Sequence, residues 1–191
     1  MSSGLAAPQP SSSPIRQRIL SLTGFMGVGK STVGRLLAQQ MGWHFADLDP
    51  LIEAAGGMEI PQIFERLGEL AFRELEHQVL ERVIGEAVER GRPTVVALGG
   101  GTFVQPQNRE LLHRSGGAVI WLDCTVEELL ARCAGITNRP LFRSATGFRE
   151  LYEQRKPAYA LADFRVEGSA EPRRVVEQIL ALKLFEPPAF S

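Results

Sequence analysis

Cysteine is scarce in this chain of 191 residues: Cys124 and Cys133 are the only two, with no C-x-x-C step and no His-Cys cluster around them. A disulfide scaffold and a structural zinc site are therefore excluded, and a reducing compartment is expected. Neither sign of charge dominates, with 21 Lys and Arg against 22 Asp and Glu and a net charge of −1. A protein that grips a nucleic-acid backbone over a long site carries a clear positive excess, so no nucleic-acid partner is expected. Apolar runs stay well short of the ~18–20 residues of a membrane span, and no membrane partner is expected either. Residues 1–14 hold no charged side chain, so a basic segment followed by an apolar one, the mark of a secretory signal, is missing. A cytoplasmic protein is the expectation.

The composition that remains is that of one globular domain. Hydrophobic residues make up 44% and charged residues 23%, and at about 100–200 residues per domain there is no room for a second. A Ser-, Pro- and Ala-rich stretch, residues 1–16, reads as a disordered N-terminal tail, and residues 186–191 as a short C-terminal one. Residues 17–185 form the folded unit. Within it, short apolar runs alternate with segments of helical period. Ile19–Leu22, His44–Ala46, Pro93–Leu98, Ala118–Leu122 and Phe164–Val166 read as strands. Helical patterns fill Lys30–Met41, the stretch between Pro50 and Leu67, Glu69–Arg90 and Gly147–Leu161. Thr125 with Glu128 has the spacing of a capping box opening a further helix, and Pro172 opens the last. Nearly continuous apolar strands alternating with helices mean an α/β fold with a parallel sheet covered on both faces.

One motif carries most of the chemistry. Gly24-Phe25-Met26-Gly27-Val28-Gly29-Lys30-Ser31 fits G-x-x-x-x-G-K-[ST] directly between a strand and a helix. Glycines there let backbone N–H groups converge on phosphate oxygens, and the helix N-terminus adds its positive end. Gly27, Val28, Gly29, Lys30, Ser31 and Thr32 are the candidate nucleotide-binding residues, with Lys30 on the β- and γ-phosphates and Ser31 on Mg²⁺. No hydrophobic run ends in an Mg²⁺-holding Asp, as in ATP-driven machines, and a small kinase is the leading class.

Asp47 and Asp49 stand two apart at the end of the second strand, a spacing that aims both carboxylates into the crevice at the carboxyl end of the sheet. One can position Mg²⁺ and the other can accept a hydrogen bond from an acceptor hydroxyl; a plain helix start at Asp49-Pro50 is the competing reading. Arg73 and Glu76, three apart on a helix, share a face: either an exposed pair or an Arg fork for a substrate anion. Gly99-Gly100-Gly101 after a buried strand admits close approach of a ligand to backbone. Arg132 and Arg139 bracket a Gly-containing segment from which cationic groups can close over a transferring phosphoryl.

Taken together the chain resembles the shikimate kinase family of P-loop proteins, which are related to nucleoside-monophosphate kinases. The resemblance rests on Gly24–Thr32, Asp47-Leu48-Asp49, Phe72-Arg73-Glu74-Leu75-Glu76, Gly99-Gly100-Gly101, Asn138-Arg139-Pro140-Leu141 and Arg155-Lys156-Pro157-Ala158-Tyr159. It implies a three-layer fold with a five-stranded parallel sheet of order 2-3-1-4-5 and a mobile lid at about 135–147. It implies phosphorylation of the 3-hydroxyl of shikimate by ATP with Mg²⁺, in chorismate and aromatic amino-acid biosynthesis; apart from the resemblance, a monomer is the default expectation. Asp49 would then orient or deprotonate the attacking hydroxyl, Arg73 and Arg155 would clamp the carboxylate, and Gly100 would touch the substrate through its backbone. Asp47 would act on Mg²⁺ through water, Glu76 would steady Arg73, and Arg139 with Arg132 would lie on the ATP phosphates. Where many relatives carry a basic residue packed on adenine, this chain reads Gly168-Ser169-Ala170-Glu171-Pro172. Gluconate or nucleoside-monophosphate kinases, and a non-catalytic nucleotide-binding protein, are the alternatives.

Overall fold

The computed structural model describes residues 18–134 and 144–185. Five parallel strands, β1 (Ile19–Thr23), β2 (His44–Asp47), β3 (Thr94–Ala97), β4 (Ala118–Asp123) and β5 (Phe164–Glu167), form one sheet of order β2-β3-β1-β4-β5. Every residue of β1 and β3 is buried. Adjacent residues of a strand point to opposite faces, so complete burial requires helices above and below. Among the described residues seven helices provide them: α1 (Lys30–Met41), α2 (Leu48–Gly56), α3 (Ile60–Glu89), α4 (Pro106–Arg114), α5 (Val126–Cys133), α6 (Ala145–Tyr159) and α7 (Pro172–Ala181). The expected fold class and strand order are those observed.

Parallel pairing sets the position of the site. Leu22 of β1 and Asp47 of β2 are both in register with Ala97 of β3. The loops leaving these three strands therefore emerge side by side at one edge of the sheet. They carry the phosphate loop, the Asp47–Asp49 segment and Gly99–Gly101, three of the segments singled out by sequence.

Three details depart from the expected pattern or refine it. Helix α2 begins at Leu48, not after Pro50: Asp47 is its N-terminal flanking residue in extended conformation, and Asp49 lies in its first turn. A short 3₁₀ turn (Thr102–Val104) and α4 follow the glycines, in a region where no regular pattern was read. Only two residues of α4, Asn108 and Leu112, are buried, so its apolar stripe is too thin for periodicity to reveal. The break expected between Leu67 and Glu69 is present inside α3, where Gly68 has φ 81° and interrupts an otherwise helical path. Of the segment expected as a lid, 135–143 lies outside the described residues. The rest opens α6, with the Ser144 side chain accepting a hydrogen bond from the Gly147 N–H.

Candidate active site

The phosphate loop leaves β1 and turns into α1 through backbone that only glycine adopts comfortably. Gly27 has φ 82°, and a Cβ there would stand 2.5 Å from Cys133 Sγ. Gly29, the residue before α1, has φ 98°. No side chain caps α1, so the N–H groups of its first turn keep their hydrogen-bonding capacity for a ligand anion. Lys30 Nζ donates to the carbonyls of Gly24 at 2.9 Å and Phe25 at 3.1 Å. That contact folds the side chain over the loop it belongs to. Ser31 and Thr32 lie exposed on the first turn, while Val28 is buried beneath the loop.

Beside the loop opens a cavity of about 410 Å³, within the usual range for a small-molecule site. Met26 of the phosphate loop forms part of its wall, so the cavity and the phosphate cradle share a boundary. Asp49, Arg73 and Arg155 also line it, from α2, α3 and α6, with Phe64 and Phe72 as apolar faces. Asp47 is not among the lining residues. The expectation that Asp47 and Asp49 share one face of an extended strand is thus corrected: the helix starting at Leu48 turns Asp49 into the cavity by itself.

Arg73 is held from several sides. Its Nη1 donates to Glu76 Oε2 at 2.9 Å and its Nη2 to Glu69 Oε1 at 3.3 Å. Its guanidinium carbon sits 5.0 Å from the ring centre of Phe72 and 6.0 Å from that of Phe64. Glu76 is only 1% exposed, and its other oxygen accepts a hydrogen bond from the Thr102 hydroxyl at 2.6 Å. A buried carboxylate with both oxygens engaged is a rigid anchor, so Arg73 and Glu76 are no exposed surface pair.

Arg155 is 8% exposed, with its guanidinium 5.9 Å from the ring centre of Phe25. Among the described residues no Asp or Glu pairs with it. Four residues further along α6, the Tyr159 hydroxyl donates to the Gly100 carbonyl. Burial pushes the Tyr159 hydroxyl up to about 12, with the nearby Arg155 charge working the other way. It therefore stays protonated and keeps donating at any ordinary pH.

The three glycines turn out to serve their neighbours as well as a ligand. A Cβ on Gly99 would stand 2.9 Å from Asp49 Oδ1 and from the Thr102 hydroxyl, and one on Gly101 2.7 Å from Arg73 Nη1. Gly100 is the roomier position, its nearest atoms being Met26 N at 3.5 Å and Arg155 Nη1 at 3.6 Å.

Arg132, expected on the ATP phosphates, lies against the phosphate loop. Its guanidinium donates to the carbonyls of Val28, Gly168 and Ser169, so it braces the phosphate loop against the β5–α7 turn. Glu128 joins that brace by accepting hydrogen bonds from the hydroxyls of Thr125 and Ser169, both at 2.7 Å. These two bonds lead the causes that hold its carboxyl down at about 2. Arg139 lies outside the described residues. For a divalent cation the arrangement offers hard oxygens, the Ser31 hydroxyl and the Asp47 carboxylate. Among the described residues no group of three or more His, Cys, Asp or Glu could hold a metal. Such a donor set suits an Mg²⁺ that brings water and phosphate oxygens as most of its ligands.

Tyr159, Thr102, Phe64 and Glu53 had no role assigned by sequence. Arg155 and Tyr159 are four apart on one helix, a spacing that puts both on one face and could have drawn attention to the tyrosine. The partnership of Thr102 with Glu76 spans 26 residues, and nothing local announces it.

Comparison with known proteins shows which family the chain is similar to. The family model for shikimate kinase matches residues 26–183. The shikimate kinase of Synechococcus elongatus is 45% identical over 166 residues, 84% of each chain. That of Persephonella marina is 42% identical, covering 85% of this chain and 97% of its own. Among solved structures, the shikimate kinase from Acinetobacter baumannii in complex with shikimate superposes with a TM-score of 0.80 at 36% identity. That match covers 89% of this chain and 94% of that one.

Proposed function

The chain belongs to the shikimate kinase family, and from that premise we propose how its residues move the γ-phosphoryl group of ATP onto the 3-hydroxyl of shikimate. The products are ADP and shikimate 3-phosphate, an intermediate of chorismate and aromatic amino-acid biosynthesis. The single observation that carries the residue assignment is Arg155. A guanidinium 8% exposed with no carboxylate partner among the described residues is costly unless an anion joins it. Arg73 lines the same cavity, and the two guanidiniums together suit the shikimate carboxylate.

With that carboxylate clamped between Arg73 and Arg155, the ring lies against Phe64 and Phe72, and its hydroxyls turn toward Asp49. Asp49 accepts a hydrogen bond from the attacking hydroxyl and takes its proton as the phosphoryl group transfers. Glu76 holds Arg73 in place, itself fixed by Thr102. Gly100 meets the substrate through backbone, in a loop pinned by Tyr159. The N–H groups of Gly27, Val28, Gly29, Lys30, Ser31 and Thr32 cradle the nucleotide phosphates, and Lys30 moves from the loop carbonyls to the β- and γ-phosphates. Ser31 would hold an Mg²⁺ directly and Asp47 would hold it through water, and the ion would supply neutralisation of charge on the phosphate oxygens. Arg132 keeps the phosphate loop and the β5–α7 turn in register. Arg139 retains the role implied by sequence alone, a charge on the phosphates in the transition state. A monomer is the proposed oligomeric state, and two buried cysteines outside any disulfide support a cytoplasmic location.

The assignment of Asp49 is tested with Asp49→Asn. Loss of a general base costs about 10²–10⁴ in kcat, whereas calorimetric binding of shikimate, carried mainly by the arginines, should weaken far less. If Asp49→Asn retained more than about a tenth of wild-type kcat, Asp49 would be removed from the chemistry.

A further inference from the structure

Between β2 and the C-terminal half of α3 lies a second cavity, of about 330 Å³, which shares no lining residue with the acceptor site. Its rim is cationic. Arg82 reaches it from α3, Arg90 from the C-cap of that helix, Arg92 from the segment before β3, and His44 from the edge strand β2. Among the described residues Glu86 is the one acidic group in the lining, 3.7 Å from Arg90. Among the same residues neither Arg82 nor Arg92 enters an ion pair. Three guanidiniums against one carboxylate is a sharp local excess in a chain whose net charge is −1. The floor is apolar, built from Ala46, Leu51 and Val83.

An excess of fork-shaped cations around an apolar floor of this volume has a definite complement. We propose that this cavity is a second ligand site, taking a small anion whose carboxylate or phosphate group is carried on an apolar ring. The anionic group meets Arg82 and Arg92, and the ring covers Leu51 and Val83. His44 supports the same reading: partial burial, then the Arg92 charge, hold its imidazole below the usual range, and Glu86 opposes them. An anion seated here would raise it. The site touches β2, α2 and α3, the elements that lead into or carry Asp49, Arg73 and Glu76, so an occupant sits behind the acceptor machinery without contacting it. The inference stands independently of the residue roles proposed above.

The test is an NMR titration of the full chain with phenyl phosphate, inorganic phosphate and benzyl alcohol, ADP and shikimate being present in saturating amounts to occupy the active site. The readouts are the His44 ring signals and the amides of Ala46 and Thr94. Saturable shifts with phenyl phosphate at about 1 mM or below are expected, with an upward move of the His44 titration midpoint. Inorganic phosphate should bind at least about threefold more weakly, and benzyl alcohol should give no saturable shift. Arg82→Gln with Arg92→Gln, both at exposed positions, should weaken phenyl phosphate about tenfold or more while leaving turnover unchanged. No saturation, equal binding of benzyl alcohol, equal binding of both phosphates, or undiminished binding by the double variant would each overturn the proposal.

Discussion

Gly101→Ala probes the spacing of the acceptor site more sharply than removal of any charged group. Gly101 has φ −107°, a conformation open to every residue, so alanine brings no backbone strain. Its Cβ would nevertheless stand 2.7 Å from Arg73 Nη1 and 2.8 Å from Nη2, well inside the ~3.5 Å at which such atoms rest against each other. The guanidinium has to retreat, and Glu76 and the two phenylalanine rings restrict where it can go. In the proposed clamp the displaced group would lose charge-assisted hydrogen bonding to the substrate carboxylate, worth about 1.5–3 kcal/mol. That corresponds to a rise of roughly 10- to 100-fold in the KM for shikimate. The KM for ATP should stay within about twofold, because Arg73 serves the acceptor cavity and the nucleotide is held by the phosphate loop. Folding stability should change little, because the gain of about 0.4–1 kcal/mol that a Gly-to-Ala change at a permissive φ draws from the unfolded chain offsets part of the cost of shifting the Arg73 guanidinium against Glu76. Initial rates with each substrate varied in turn, on Gly101→Ala, Arg73→Ala and the double variant, separate the causes. Once Arg73 is gone, the alanine should cost less than about twofold. An unchanged shikimate KM in the single variant, or an equal loss in both backgrounds, would show that Gly101 does not act through Arg73.

Two further outcomes are expected. Arg73→Lys should raise the KM for shikimate by about tenfold or more while sparing that for ATP, because an ammonium cannot reproduce a planar fork seated between Glu76 and the substrate; steady-state kinetics checks it. Tyr159→Phe should cost about 1–3 kcal/mol in urea unfolding by leaving the Gly100 carbonyl without its donor. Tyr159 titrates at about 12 when folded against 10 for the free side chain. The folded protein thus holds that proton more tightly, and the stability it contributes is complete below pH 10 and lost as pH rises toward 12. Wild type should lose more stability across that window than Tyr159→Phe does.

The sheet was legible because all-buried strands such as Ile19–Thr23 leave nearly continuous apolar runs, and the phosphate loop because its glycines and lysine must occupy fixed positions. The acceptor site was legible only in part. Sequence spacing paired Arg73 with Glu76, since one helix holds both, but could not show that Glu76 is buried and fixed by Thr102 from beyond β3. The two-residue spacing of the aspartates left an extended pair and a helix start at Asp49-Pro50 both open. In fact Leu48 packs fully into the core as the first helical residue, and tertiary burial overrode the alternation pattern. The sequence put Arg132 on the ATP phosphates but gave no sign of its three carbonyl partners, which lie 36 or more residues away along the chain. Helix α4 escaped notice for want of a wide apolar stripe.

The cavity beside the phosphate loop is proposed to select shikimate as the phosphoryl acceptor. ADP release measured side by side with shikimate, quinate, gluconate and nucleoside monophosphates decides this. The two-arginine clamp and Asp49 predict a kcat/KM for shikimate at least about tenfold above every other acceptor. Equal or faster turnover of gluconate or of a nucleoside monophosphate would contradict the claim.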